Sequence, residues 1–181
     1  MTDALGELAE LTGMRENSGN PVDWAAFART SSVIPPEDYR ELVDRYGSGM
    51  FGLYLQVFGP DDAMHTLKDG GLFGDFKTEW EAEPEFTAAR PGVRDAEVVW
   101  WGATEDAHTL VWLAEPGRPA EEWLIGLQGH DGPECEFYEM STAEFLLAFV
   151  KDELDSDLLS SFDRIEDAAY LQWSLIRSMS P

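Results

Sequence analysis

Within WWGATEDAHTLVWLAE, residues 100 to 115, a polar centre holds Thr104, Glu105, Asp106, His108 and Thr109. An imidazole beside a hydroxyl is the raw material of a base and nucleophile pair. Nearby carboxylates could orient it or supply a proton. The same residues would also make the polar tip of a hairpin whose arms, Trp100 and Trp101 on one side and residues 110–113 on the other, are apolar. A lone histidine between strands is more often a hydrogen-bonded turn residue than a base, so the spacing favours the tip.

Other chemistries find less support. The histidines are His65, His108 and His130, and the only thiol is Cys135. His130 and Cys135 share the loop HDGPEC, but a zinc site needs three or four ligands, and neither CxxC nor HExxH occurs. No GxSxG elbow is present. Cys135 stands between Glu134 and Glu136, which would raise its thiol pKa and oppose nucleophilic use. A pair of catalytic carboxylates needs two shielded acids with divergent pKa values, and a chain with 36 acids does not single them out. The glycines of YGSGMFG follow a helix and precede a strand, the reverse of a phosphate cradle. No metal, cofactor or catalytic group is therefore assigned.

These residues need elements to position them. Residues 1–19 are acidic, with Leu5, Leu8 and Leu11, and fit a short helix or a loose arm. Asn20 and Pro21 are a plausible cap and first turn for a helix with Trp24, Phe27 and Ala28 on one face. In IPPEDYRELVDRYGSG the prolines open a helix, Glu37 and Asp38 face its positive end, and Tyr39, Leu42, Val43 and Tyr46 form a stripe that Gly47 ends. MFGLYLQVFGP alternates and predicts one strand. Met64, Leu67, Leu72, Phe76 and Trp80 fit a helical face weakened by Gly70 and Gly71, and residues 81–95 read as a loop. Strands are predicted over 96–102, 108–114, 122–128 and 134–140, with turn-rich joins that suggest a meander. Ser141 and Glu144 form a capping box ahead of Phe145, Leu146, Phe149 and Val150. Leu158, Phe162, Ile165, Ala169, Trp173 and Ile176 predict a last helix.

The 181 residues fit one domain, and 44% apolar residues with 7 Trp and 10 Phe suffice for a core. No apolar run approaches the roughly 20 residues that span a bilayer, and no secretory leader is legible. One cysteine gives no sign of an oxidising compartment, so the expected location is the cytoplasm. Lys and Arg total 12 against 36 Asp and Glu, a net charge of −24. That field repels nucleic acid and anionic membranes, attracts basic partners, and also simply aids solubility.

Two blocks carry a resemblance. IPPEDYRELVDRYGSGMFGLYLQVFGP is similar to a proline-led helix LPxDYRxLxxxYG followed by a strand, and WWGATEDAHTLVWL is similar to a hairpin WGxTxxGDxLxWL through Trp101, Gly102, Thr104, Leu110, Trp112 and Leu113. With EEWLIGL, FYEMSTAEFLLAFVKDEL and Trp24, the chain resembles the SUKH superfamily (Smi/Knr-like) over about residues 20–154. It departs at Ala107 and His108, where many relatives carry Gly-Asp, and in residues 155–181. The resemblance implies an α+β domain with an antiparallel sheet and a non-enzymatic role. Bacterial members are typically cytosolic immunity proteins that bind a cognate toxin, often a nuclease.

The expectation is thus a single α+β domain with an antiparallel, meander-type sheet packed against N-terminal and C-terminal helices. It comprises an acidic arm over 1–19, the SUKH-like domain over 20–154, and a helical extension over 155–181. The expected partner is a basic toxin, met by Glu79, Trp80, Glu81, Glu83 and Glu85 and by Asp152, Glu153, Asp155 and Asp157. An intracellular scaffold without a toxin, and a hydrolase, are the alternatives.

Overall fold

The computed structural model describes residues 3–17, 19, 21–31, 33–60, 88–130, 134–159 and 168–175. The expected helical face over 64–80 and residues 81–87 of the expected loop over 81–95 lie outside them.

In chain order the described elements begin with α1 (Ala4–Thr12), α2 (Trp24–Ser31) and α3 (Glu37–Tyr46), then β1 (Gly49–Phe51) and β2 (Leu55–Val57). A 3-10 turn over Pro91–Asp95 leads into β3 (Glu97–Thr104) and β4 (Thr109–Ala114). Another over Ala120–Glu122 leads into β5 (Leu124–Gln128), β6 (Cys135–Tyr138), α4 (Thr142–Val150) and β7 (Tyr170–Gln172). The strands form one seven-stranded sheet in the order β6-β5-β4-β3-β2-β1-β7, with every described pairing antiparallel. The chain is an α+β domain, and β3 to β6 are the expected meander.

Alternation along β4 divides the core. Leu110 and Trp112 join the helix-side cluster with Leu8 of α1, Leu42 of α3 and Phe145 of α4. Val111 and Leu113 point the other way, into a smaller cluster with Val93, Ala96 and Leu124. The WWG motif works through a bulge: Trp100 pairs with Val111 and Gly102 with Leu110, so Trp101 is the extra residue. Trp100 stays on the far face while Trp101 stacks on Trp112, with ring centroids 5.5 Å apart. A Cβ on Gly102 would lie 2.6 Å from the Gln56 carbonyl oxygen, so only glycine lets β2 approach there.

The helices owe their ends to local chemistry. Asp3 caps α1 by accepting the Gly6 N–H, and Leu5 and Leu8 are buried, so the first stretch is a core helix and not an arm. The α2 cap is Asp23, which accepts the Ala26 N–H at 2.8 Å, in place of the expected Asn20–Pro21 start. Asp44 takes the Val22 N–H and the Trp24 indole N–H, each at 2.9 Å, and ties the entry to α2 onto α3. The α3 stripe is buried as expected, and the Ser141–Glu144 capping box has both of its hydrogen bonds.

Two expectations fail for tertiary reasons. The single strand over 50–58 is instead the hairpin β1–β2. Gly52 and Leu53 take φ of 56° and 58°, and the Tyr54 N–H returns to the Phe51 carbonyl at 2.9 Å, the signature of a type I′ turn. Alternation on either side of so tight a turn reads as one continuous strand.

The helical extension over 155–181 is corrected at its described residues 155–159 and 170–172, while residues 173–175 are helical. Residues 153–159 are not helical, and Tyr170–Gln172 is a strand on the outer edge of β1. Inward Tyr170 and Gln172 flank outward Leu171, a period of two. Pairing satisfies the backbone of β1, which would otherwise be an open edge, and that gain overrides a helical pattern. Tyr170 donates its hydroxyl to the Gly47 carbonyl at 2.6 Å, and Gln172 donates to the Arg15 carbonyl at 2.7 Å. The strand is thereby tied to both α1 and α3 ends.

Candidate functional site

The polar tip of β3–β4 spends its groups on its own structure. Thr104 donates its N–H to the His108 carbonyl at 3.0 Å, and its hydroxyl oxygen accepts the His108 N–H at 3.2 Å. The neighbouring strand takes up the carboxylates. Tyr54 donates to Asp106 at 2.8 Å, Gln56 donates to Glu105 at 3.0 Å, and the Glu105 N–H reaches the Tyr54 carbonyl at 3.0 Å. His108 Nδ1 accepts the His130 N–H at 3.1 Å, so the imidazole braces the β5–β6 loop. A base needs a free nitrogen facing a nucleophile, and here Nδ1 faces backbone. Cys135 lies half-buried in β6 against the far-face cluster. Among the described residues no group of three or more His, Cys, Asp or Glu is placed to hold a metal ion. No described helix is long and apolar enough to cross a membrane.

Of the residues expected at a contact face, Glu79, Trp80, Glu81, Glu83 and Glu85 lie outside the described residues. Asp152, Glu153, Asp155 and Asp157 are all exposed, just after α4. The backbone around Asp155 and Asp157 is held by a carboxylate clamp. Glu136 accepts the Ser156 hydroxyl at 2.6 Å, the Asp157 N–H at 2.8 Å and the Leu158 N–H at 3.2 Å. Tyr138 donates to Glu136 at 2.6 Å and lies 3.2 Å from the Asp155 carbonyl. Burial first, then this carboxylate, pushes the Tyr138 hydroxyl well above the usual tyrosine range. The clamp turns these acids outward on a fixed backbone. Glu153 meets Lys151 at 3.5 Å, and that cation also reaches Glu7 at 3.3 Å.

A second acidic feature, not anticipated from sequence, is a cleft of about 270 Å³ where the N-termini of α3 and α4 meet the edge of β5. Its floor is apolar, with Trp112, Ile125 and Met140, and Trp123 forms a wall. Glu37, Asp38, Glu41 and Glu121 supply its carboxylates. Asp38 is the keystone. One of its oxygens accepts the Tyr39 N–H at 2.8 Å and the other the Ala143 N–H at 2.6 Å, so one side chain caps two helices 105 residues apart. Burial raises the Asp38 pKa above its ordinary value, against the lowering effect of these hydrogen bonds. The Trp112 indole donates to Thr142 at 3.1 Å and ties the cleft floor to α4.

Cations near the cleft are turned away from it. Arg118 pairs with Glu115 and Glu122, each at 3.2 Å, while its carbonyl accepts the Trp123 indole N–H at 3.2 Å. Glu115 is buried and also lies 2.7 Å from Arg90 Nη2, at ion-pair distance, though its Oε1 lacks hydrogen-bonding geometry. Glu41 pairs with Arg45 at 2.9 Å. Among the described residues, Glu37 and Glu121 have no basic partner.

Sequence reasoning identified Glu37 and Asp38 as first-turn acids and Ser141 as a cap. It missed their convergence with Glu121 and Trp123, because no local pattern reports which helix ends will meet. No family model matches the chain, and neither the curated proteins nor the solved structures yield a match to it.

Proposed function

We propose that the chain is a non-enzymatic immunity protein that neutralises a cognate toxin by binding it one to one and covering its working surface. The observation that carries this reading is the charge, −24 over 181 residues, with exposed carboxylates held on ordered backbone after α4 and around the cleft. A nuclease-type toxin has a basic cleft because it must bind phosphates, and an acidic inhibitor complements it and speeds the encounter. The resemblance to the SUKH superfamily supports the same reading, with a cytoplasmic site of action. The role needs no cofactor, and no catalytic residue is assigned.

The test is coexpression with the toxin encoded beside the gene. Host survival restored well above an empty-vector control is the expected result. Survival no better than that control refutes the reading.

A further inference from the structure

The cleft between α3, β5 and α4 combines three properties that suit one kind of guest. It is a concavity of about 270 Å³, large enough for the head of one long side chain. Its floor and wall are aromatic and aliphatic, through Trp112, Ile125, Met140 and Trp123. Its rim is anionic, with Glu37 and Glu121 left without basic partners among the described residues.

Helix N-termini ordinarily attract anions, and two of them meet here. Their donors are already engaged: Asp38 takes the Tyr39 and Ala143 N–H groups, and the Ser141 hydroxyl takes the Glu144 N–H. Two helix ends are worth about one positive charge together. Glu37, Asp38, Glu41 and Glu121 outnumber that, with only Arg45 paired to one of them. Arg118 is held on Glu115 and Glu122, and its carbonyl fixes Trp123 by the indole bond. A planar cation that can lie against an indole and meet two carboxylates at its edge is a guanidinium.

We infer that this cleft is the docking site for an arginine side chain of a basic protein partner. Glu37 and Glu121 receive the guanidinium and Trp123 flanks it. The inference takes its partner from the protein-binding reading above.

A six-arginine peptide is the probe, titrated by calorimetry in about 0.15 M salt, where long-range attraction is screened. The indole resonance of Trp123 is followed by NMR in the same series. Binding is expected to move that resonance, and Glu37→Gln with Glu121→Gln is expected to weaken binding about fivefold or more. Glu105→Gln with Asp106→Asn removes the same charge at the hairpin tip and is expected to change affinity less than about twofold. A citrulline peptide of equal length should not bind. Equal weakening by the two double variants, or an unmoved Trp123 resonance, overturns the inference. The coexpression assay separates the two proposals. If the wild type protects and Glu37→Gln with Glu121→Gln protects equally well, the cleft assignment fails and the immunity reading stands. If the wild type gives no protection, the immunity reading fails, and the peptide titration still decides the cleft.

Discussion

At the tip of β3–β4, Glu105 and Asp106 stand side by side in the sequence and receive hydrogen bonds from Gln56 and Tyr54 of the next hairpin. In the cleft, Glu37 and Glu121 stand far apart in the sequence, converge in space and meet no described cation. The tip looks like chemistry in the sequence and turns out to be joinery. Its polar groups are close because a turn needs them, and a turn supplies partners within a few residues. The cleft is the reverse case. Among the described residues Glu37 and Glu121 have no basic partner, and the packing that brings them together has already used the local donors on Asp38 and Ser141. Proximity along the chain is thus a poor guide to which polar groups are left over for a partner.

The largest test of this contrast is Trp112, which is at once cleft floor and core. Trp112→Ala should cost about 3–5 kcal/mol in a denaturant titration, while Trp123→Ala on the half-buried wall should cost about 1 kcal/mol or less. A cost below about 1.5 kcal/mol for Trp112 would break the idea that the floor is rigid.

Asp38→Asn comes next, at about 1–2 kcal/mol near neutral pH, because two helix-end donors then share a weaker acceptor. Its pH signature sharpens the point. Burial raises the folded-state pKa of Asp38 above the ordinary 3.8, so the folded chain holds that proton more tightly than the unfolded chain. Asp38 therefore favours the fold most below pH 3.8, and this contribution declines as pH rises from 3.8 to the raised value. The stability difference between wild type and Asp38→Asn should follow that slope and flatten above the window. A difference independent of pH would remove the desolvated keystone.

The smallest effect belongs to the tip. Ala107 holds φ of 62°, a left-handed conformation that suits glycine. Ala107→Gly should stabilise the chain by up to about 1 kcal/mol, read as a higher denaturation midpoint with an unchanged slope. A lower midpoint would show that the tip is not the strained joint described here.

Much of the architecture was legible because its signals are short-range. The capping box of Ser141 and Glu144, the stripe of Tyr39, Leu42, Val43 and Tyr46, and the alternation across Leu110 to Leu113 each lie within one or two turns of chain. Each of these has the structure its local pattern implies. The candidate site was legible only in pieces. Of the acids expected to face a partner, the group after α4 is exposed as expected, while the cleft acids were seen only as helix-end charges.

What the sequence determined alone is therefore α3, strands β3 to β6 and α4, their inward faces, and a strongly acidic exterior. These follow from propensity, period and charge, which act over a few residues or over the whole composition. Only the tertiary structure decided the rest. It turned a helical pattern near residue 170 into the strand that completes β1, and it split residues 50–58 into a hairpin. It also joined two helix ends through Asp38 and left Glu37 and Glu121 facing solvent across an aromatic floor. Each of those outcomes depends on satisfying backbone and carboxylate groups that meet only when distant segments pack, so no window of the sequence contains them.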